Sequence, residues 1–336
     1  MHTPCFPAFR ARLSALGGHA QRLRRQSLLD LDRLFGPWLP PGLLSQADEG
    51  ANRRQRVDTI RRTFFGFLYQ VLNPQCPCRE IVRQIQARFA LHRNGPVAAG
   101  TGGWCQARRR LPGAVLPRRR CAAAAQAEKT ARLWRGLRVK VVDGTSTTLP
   151  DTVKNQRAYP QPGGPKPGCG FPLVKRVGVF SLATGVLLDY AKGNPHPHEL
   201  NLRHRLMDQF KAGDLVLADR GFNSYTLLAL LLQRGAHSLF RRHQRRAADL
   251  SKGKRLGQND RWLTWRKPWG WQRPRYLSKA VWKRIPDELS VRGVRFTLAV
   301  PGFRTQSVTR VTTLLDPAAY PAEELARLYA RRWQIE

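Results

Sequence analysis

Leu137-Arg-Val-Lys-Val-Val-Asp143 alternates polar with apolar side chains and then turns apolar; Asp214-Leu-Val-Leu-Ala-Asp219 is apolar between its two aspartates. The first pattern, with a period of two, is that of a half-buried strand. The second is that of a short strand covered on both faces, as parallel strands usually are. Asp143 is expected to end the first strand and Asp219 the second. Gly144 follows one and Arg220-Gly221 the other, so the chain turns beyond each. Strands running the same way deliver the side chains at their ends to one edge of a sheet, where sites form.

Working outward, Leu173 to Leu182 and Val186 to Ala191 are strand-like, and Ala183-Thr-Gly185 between them makes a hairpin turn. His198 to Lys211 has a helical pattern. Ser224 can cap a helix running to Arg234, and His237 to Phe240 forms a fifth short strand. The order strand, strand, strand, helix, strand, helix, strand is that of an α/β fold with a ribonuclease-H-like core, and it also fits other mixed sheets. Residues 241–284 break the pattern with 15 basic and 2 acidic residues, and they hold five of the nine tryptophans: Trp262, Trp265, Trp269, Trp271 and Trp282. Alternation resumes at Val291 to Val300. The reading is therefore a first part of the core over 136–240, a β-rich, Trp- and Arg-rich insertion over 241–310, and a core helix over 311–336. That helix has Pro321 at its first turn and Glu323 and Glu324 early in it.

Residues 1–135 read as helical. Arg22 to Phe35 and Arg53 to Leu72 carry apolar positions at helical spacing between Arg-rich faces, with further helices at Arg79 to Ala90 and Cys105 to Leu111. Asn94 to Gly103 is a Gly-rich connector. Residues 1–140 hold 26 basic and 7 acidic residues, a net charge of +19, which suits a helical DNA-binding domain as well as a plain solvated surface.

The whole chain of 336 residues has 59 Lys plus Arg against 22 Asp plus Glu, a formal charge of +37. Such a charge repels itself unless a polyanion neutralises it. Coding bias toward Arg accounts for some of the excess but not for the scarcity of Asp and Glu. Arg also outnumbers Lys, and its planar guanidinium binds phosphate in a bidentate fashion. A nucleic-acid partner follows. The six cysteines, Cys5, Cys76, Cys78, Cys105, Cys121 and Cys169, show neither a CxxC pair nor fitting histidines, which argues for reduced thiols rather than zinc. No apolar run is long enough to span a membrane. Met1 to Arg12 lacks the apolar core of a secretory signal, so a soluble cytoplasmic protein is expected.

Carboxylates suit Mg²⁺, a hard cation that prefers oxygen, and two such ions about 4 Å apart clamp the attacking and leaving oxygens of a phosphodiester. One isolated aspartate after a strand would more often cap a turn; two, in a strongly basic chain, favour metal. In the last helix Tyr329, Arg332 and Glu336 are spaced three and four apart and share a face. Spacing alone also fits an ordinary amphipathic helix with an Arg–Glu pair. Gly163 to Gly170 is Gly-rich, but its prolines and missing Gly-Lys-Ser/Thr exclude a phosphate loop. His196-Pro-His198-Glu199 reads as a strand-to-helix turn.

Taken together, Val142-Asp143-Gly144-Thr145, Asp219-Arg220-Gly221-Phe222 and Tyr329-x2-Arg332-x3-Glu336 resemble the three catalytic blocks of the DDE transposases of the insertion-sequence-four family, relatives of the transposon-five enzyme. Cys105 to Leu111 and Thr312 to Pro317 are similar to further family segments, so the likeness runs from about residue 50 to the end. The resemblance implies that Asp143, Asp219 and Glu336 are catalytic and hold two Mg²⁺, for which Mn²⁺ can substitute. It implies that Tyr329, Arg332 and Arg220 meet DNA, and that a tryptophan of the insertion, with Trp262 and Trp265 as candidates, stacks on a flipped base. Such stacking is worth about 1–3 kcal/mol. The partners implied are double-stranded DNA, as inverted-repeat ends and as target, and a second copy of the chain in a homodimer on paired ends, with location at the bacterial nucleoid. The activity implied is cut-and-paste transposition. The Lys that the family signature places seven residues after the glutamate falls beyond Glu336. The expectation is a C-terminally truncated chain, with a catalytically inactive, DNA-binding remnant as the alternative function.

Overall fold

The computed structural model describes residues 18, 21–38, 44, 57–111, 124, 128–129, 131–161, 170–194, 204–243, 250, 253–297 and 307–335. The chain divides into two compact units, Met1–Ala123 and Ala124–Glu336. The division falls 12 residues before the expected boundary at 135.

The first unit is helical in its described residues. Helix α1 (Leu28–Phe35) does not continue from Arg22: Ser27 interrupts the run and opens a new helix with a capping box. The Asp30 backbone N–H donates to Ser27 Oγ at 3.2 Å, and the Ser27 N–H donates to the Asp30 carboxylate at 3.1 Å. Helices α2 (Ile60–Leu72), α3 (Cys78–Leu91) and α4 (Gly102–Arg110) follow. Leu28, Ile81, Val82, Ile85 and Trp104 make one buried cluster, and Leu31, Leu44 and Phe65 another. Gly66 of α2 is required by packing, because a Cβ there would lie 2.4 Å from the Trp104 ring. Residues 53–56, from which a longer second helix was expected, lie outside the described residues.

The second unit is a mixed α/β fold around one nine-stranded sheet, ordered β3-β2-β1-β4-β5-β9-β8-β7-β6. Its strands are β1 (Arg138–Thr148), β2 (Leu173–Ser181), β3 (Leu187–Gly193), β4 (Asp214–Ala218), β5 (His237–Arg241), β6 (Lys254–Gly257), β7 (Asp260–Arg266), β8 (Glu288–Thr297) and β9 (Ser307–Thr312). β1, β2 and β3 pair antiparallel, while β4 and β5 run parallel to β1. β9 returns antiparallel beside β5, and β8, β7 and β6 extend the sheet beyond it. Residues 241–310 thus begin and end on neighbouring strands, and three strands within them widen the same sheet.

Between β1 and β2 lies a short helix, α5 (Val153–Ala158), capped by Thr152, which strand periodicity did not reveal. Helix α6 (Tyr225–Gln233) has the expected cap, with the Leu227 N–H donating to Ser224 Oγ at 3.2 Å. It packs on one face of the sheet with Trp282 of α7 (Lys279–Arg284), against Val142, Val216, Ala218, Phe240 and Val311. Helix α8 (Ala322–Ala330) packs Leu325, Leu328 and Tyr329 on the other face, against Val139, Val141, Leu215, Leu217 and Leu239. Such clusters gain roughly 25 cal/mol per Å² of apolar surface buried. Two expected helices stop short of their expected C-terminal ends. Of the expected His198–Lys211 helix, residues 198–203 lie outside the described residues; His204 is helical, a 3-10 turn follows at Met207–Gln209, and the helix does not reach Lys211, whose N–H donates to the Asp214 carboxylate at 2.7 Å before Gly213 at φ +79°. The last helix ends at Ala330 and tightens into a 3-10 turn at Arg331–Gln334. The Pro160–Pro172 loop over 162–169, including most of Gly163–Gly170, and the His196-Pro-His198-Glu199 turn lie outside the described residues, as does Glu336.

Candidate active site

Asp143 does not end its strand. β1 runs on to Thr148, with Gly144 to Thr148 paired to Val177 through Leu173 of β2. What ends at Asp143 is the parallel ladder to β4, whose last pair is Val142↔Ala218. The run Thr145-Ser-Thr-Thr148 is β-favouring, so the chain continues as an antiparallel ribbon instead of turning. Asp219 follows Ala218 directly and opens a 3-10 turn, Arg220–Phe222. The two aspartates therefore stand side by side on neighbouring parallel strands, one step beyond the last pair.

Alternation along the strands fixes their face. Val139 and Val141 precede Asp143 at intervals of two, and Leu215 and Leu217 precede Asp219; all four belong to the cluster under α8. Asp143 and Asp219 therefore lie on the α8 face. The register carries the row on: Ala218 pairs with Phe240 and Phe240 with Val311, and in the next step Arg241 pairs with Arg310. Asp143, Asp219, Arg241 and Arg310 form one line across four adjacent strands, two carboxylates followed by two guanidinium groups.

Helix α8 and the turn after it close over this line. Arg135 anchors the start of the helix, donating from Nε to Glu324 at 2.7 Å and from Nη1 to the Ala319 carbonyl at 2.6 Å. Tyr329 is buried, and its hydroxyl donates to the Ala218 carbonyl at 3.0 Å, gripping the backbone next to Asp219. Burial pushes its phenol pKa up. Arg332, in the 3-10 turn that follows, is three residues on from Tyr329 and comes over the same spot. Arg332 is 3% exposed and its Nη1 lies 3.6 Å from Asp143 Oδ1. Its guanidinium carbon lies 5.8 Å from the Tyr329 ring centroid and 4.7 Å from that of Trp333. The Arg310 guanidinium carbon sits 3.9 Å from the Tyr329 centroid.

Four of the sequence-selected residues, Asp143, Asp219, Tyr329 and Arg332, thus converge. Glu336, the expected third carboxylate, lies outside the described residues. Arg220 is exposed on the turn after Asp219. Trp265 packs against the cluster on the opposite face of the sheet, where α6 lies. Trp262 is half-buried on the α8 face, paired with Arg292 of β8, two strands beyond the row. Arg241 and Arg310 were not singled out by sequence; each is one arginine among many, and only the strand register brings them beside the aspartates.

The carboxylate pair suits a hard divalent cation. Asp143 is 27% exposed. Asp219 is half-buried, and its carboxylate has no hydrogen-bond or ion-pair partner among the described residues. Side by side without a cation, two such groups would repel each other. Among the described residues no group of three metal-ligating side chains forms.

Residues 134–336 match the family described as Transposase DDE domain. The chain belongs to that family. It is 27% identical over 315 residues to the transposase InsG for insertion sequence element IS4 of Escherichia coli K12, a match covering 90% of this chain. It spans 66% of that relative's length. Among solved structures it is similar to the piggyBac transposase in a synaptic complex with hairpin DNA, at a TM-score of 0.44 and 8% identity, over 93% of this chain and 67% of that one. The family match covers β1, β4 and α8, the elements that carry the row and its cover. In the described residues no helix is long and apolar enough to cross a membrane.

Proposed function

We propose that this protein is a DNA transposase that cuts phosphodiester bonds at the ends of a mobile element and joins the freed ends to target DNA. The observation that carries the reading is the pair Asp143 and Asp219, side by side on parallel strands in a chain of the DDE family. The strand order β3-β2-β1-β4-β5, with β4 and β5 parallel to β1, supports a ribonuclease-H-like core, and 241–310 is then an insertion in it.

In this reading Asp143, Asp219 and Glu336 hold two Mg²⁺, or Mn²⁺ in its place. Bound there, the metal supplies Lewis-acid activation of the phosphodiester and of the attacking oxygen. Tyr329 holds the Ala218–Asp219 backbone still, so that Asp219 keeps one position. Arg332 lies against Asp143 and turns to a DNA phosphate when duplex enters. A water oxygen then forms the new bond to phosphorus, and the 3′ oxygen leaves and takes up a proton. In the second reaction the oxygen of that 3′-hydroxyl bonds to the phosphorus of a further phosphodiester, whose own 3′ oxygen leaves and takes up the proton that the hydroxyl gives up. The helical basic unit over 1–135 supplies sequence-independent grip on the duplex, and a homodimer holds two ends. The protein acts in the bacterial cytoplasm, at the nucleoid.

The test uses a plasmid carrying the gene with a few hundred bases of its own flanking DNA. With Mg²⁺, cuts map to inverted repeats on both sides and leave 3′-hydroxyls; with EDTA there are none. Cutting at scattered sites, or cutting that survives EDTA, contradicts the reading.

A further inference from the structure

The carboxylates occupy half of the row, and the guanidinium groups of Arg241 and Arg310 occupy the other half. Arg310 is the unusual one. Its Nε and Nη1 are buried and have no hydrogen-bond partner among the described residues. The Tyr329 ring covers one face of its guanidinium plane but offers nothing to the N–H groups along its edge. Among the described residues Arg241 and Arg332 disfavour its charge, while Asp219 and the Tyr329 phenol favour it. Burial brings its pKa down to about 10, so it is still a cation at neutral pH.

A buried guanidinium with idle donors destabilises a fold unless an acceptor arrives from outside. Nε and Nη1 lie on different edges of the guanidinium plane, so each is open to an acceptor oxygen of its own. Arg241, next to it on the same face, adds a second cation. Asp219, the carboxylate whose charge favours that of Arg310, marks where the metal-binding half begins. The geometry is that of an anion seat placed one strand over from a cation seat.

We propose that Arg310, with Arg241 beside it, is a binding site for a phosphate of the DNA backbone, one that neighbours the phosphodiester held at Asp143 and Asp219. This rests on the reading of those aspartates as the cutting centre. Arg310 acts as a binding residue, and the row sets the distance between the phosphate it grips and the phosphate that is cut.

The test compares the full chain with its Arg310→Met and Arg310→Lys variants. Three quantities are read: the melting temperature without DNA, the affinity for a fluorescein-labelled duplex from the gene's flank without metal, and single-turnover cutting with Mg²⁺. Arg310→Met is expected to melt a few degrees higher than the parent, because an unpaired buried charge has gone. It should bind the duplex about 10- to 100-fold more weakly, the range for losing hydrogen bonds to a charged group. Arg310→Lys, which keeps the charge but not the planar spread of donors, should fall between; if Arg310→Met does not fold, the affinity of Arg310→Lys decides. A lower melting temperature with unchanged affinity would make Arg310 a structural residue and overturn the proposal. So would stabilisation of the parent, but not of Arg310→Met, by inorganic phosphate when duplex affinity is the same in both, since the seat would then serve a free anion. If the variant binds weakly and neither protein cuts, the cutting reading fails and the phosphate seat stands. If both proteins cut and bind alike, the seat fails and the cutting reading stands.

Discussion

Asp214 and Asp219 bracket the same apolar run, and their surroundings assign them opposite parts. Asp214 is fully buried and saturated: Lys140 Nζ and Arg138 Nε each lie 2.8 Å from its carboxylate, and the Lys211 N–H donates at 2.7 Å. Asp219 has no such partners and faces the row. A saturated buried carboxylate holds a fold together, while an unsaturated one beside another is open to a cation. Replacing Asp214 with Ala strands the buried Lys140 ammonium, a loss of about 3–5 kcal/mol. A calorimetric scan should show the second unit melting roughly 10 °C lower. A shift under 2 °C would mean that the Lys140–Asp214 pair does not anchor β1 to β4. Both aspartates were visible in sequence, Asp219 through its Asp-Arg-Gly-Phe block, and strand register sets it beside Asp143. That Asp214 neutralises a lysine from the middle of β1 is a fact of register, which no local pattern carries.

Elements were legible where one periodicity ran undisturbed. β4, α6 and the β2–β3 hairpin lie close to their expected places because apolar spacing alone defines them. Misplaced boundaries came where two signals competed. Gly144 suggested a stop, but the hydroxyl-bearing residues after it pair with β2 and carry the strand five residues on. Ser27 broke a periodic stretch by capping its own second half. The i,i+3 spacing that puts Tyr329 and Arg332 on one face of a helix holds across the end of α8, although the chain tightens there into a 3-10 turn that a helical wheel does not show. β5 starts with a half-buried histidine, His237, whose Nδ1 lies 3.4 Å from Thr313 Oγ1. Burial lowers its pKa below the ordinary 6.5. A histidine that is harder to protonate when folded stabilises the fold fully above its unfolded pKa. That contribution is lost as pH falls from about 6.5 through the lowered folded value. The melting temperature should therefore decline as pH drops below about 6.5, and His237→Gln should flatten the decline. Parallel curves for the two proteins would remove His237 as the cause.

At the scale of the whole molecule, the charge of +37 and the aspartates pointed the same way from the start: a polyanion to hold and a phosphodiester to cut. The sheet adds what composition could not. It brings residues from 143, 219, 241 and 310 into one line, separated by as many as 76 positions between neighbours, through a parallel step, a second parallel step and an antiparallel return. Two of the four were legible as motifs. The two arginines were not, since long-range register is set by the packing of β9 against β5 and not by any local pattern. The tryptophan-rich stretch was legible as a separate feature, but its strands join the main sheet. The central claim is that the row's carboxylate half is where DNA is cut. Single-turnover cutting of the flanking DNA in Mg²⁺ by Asp143→Asn and Asp219→Asn, beside the parent protein, tests it most directly. The account predicts that each variant keeps the parent's melting temperature to within a few degrees. Each should lose cutting by about a thousandfold, the effect of removing about 4 kcal/mol of transition-state charge stabilisation. Cutting within tenfold of the parent by either variant would contradict it.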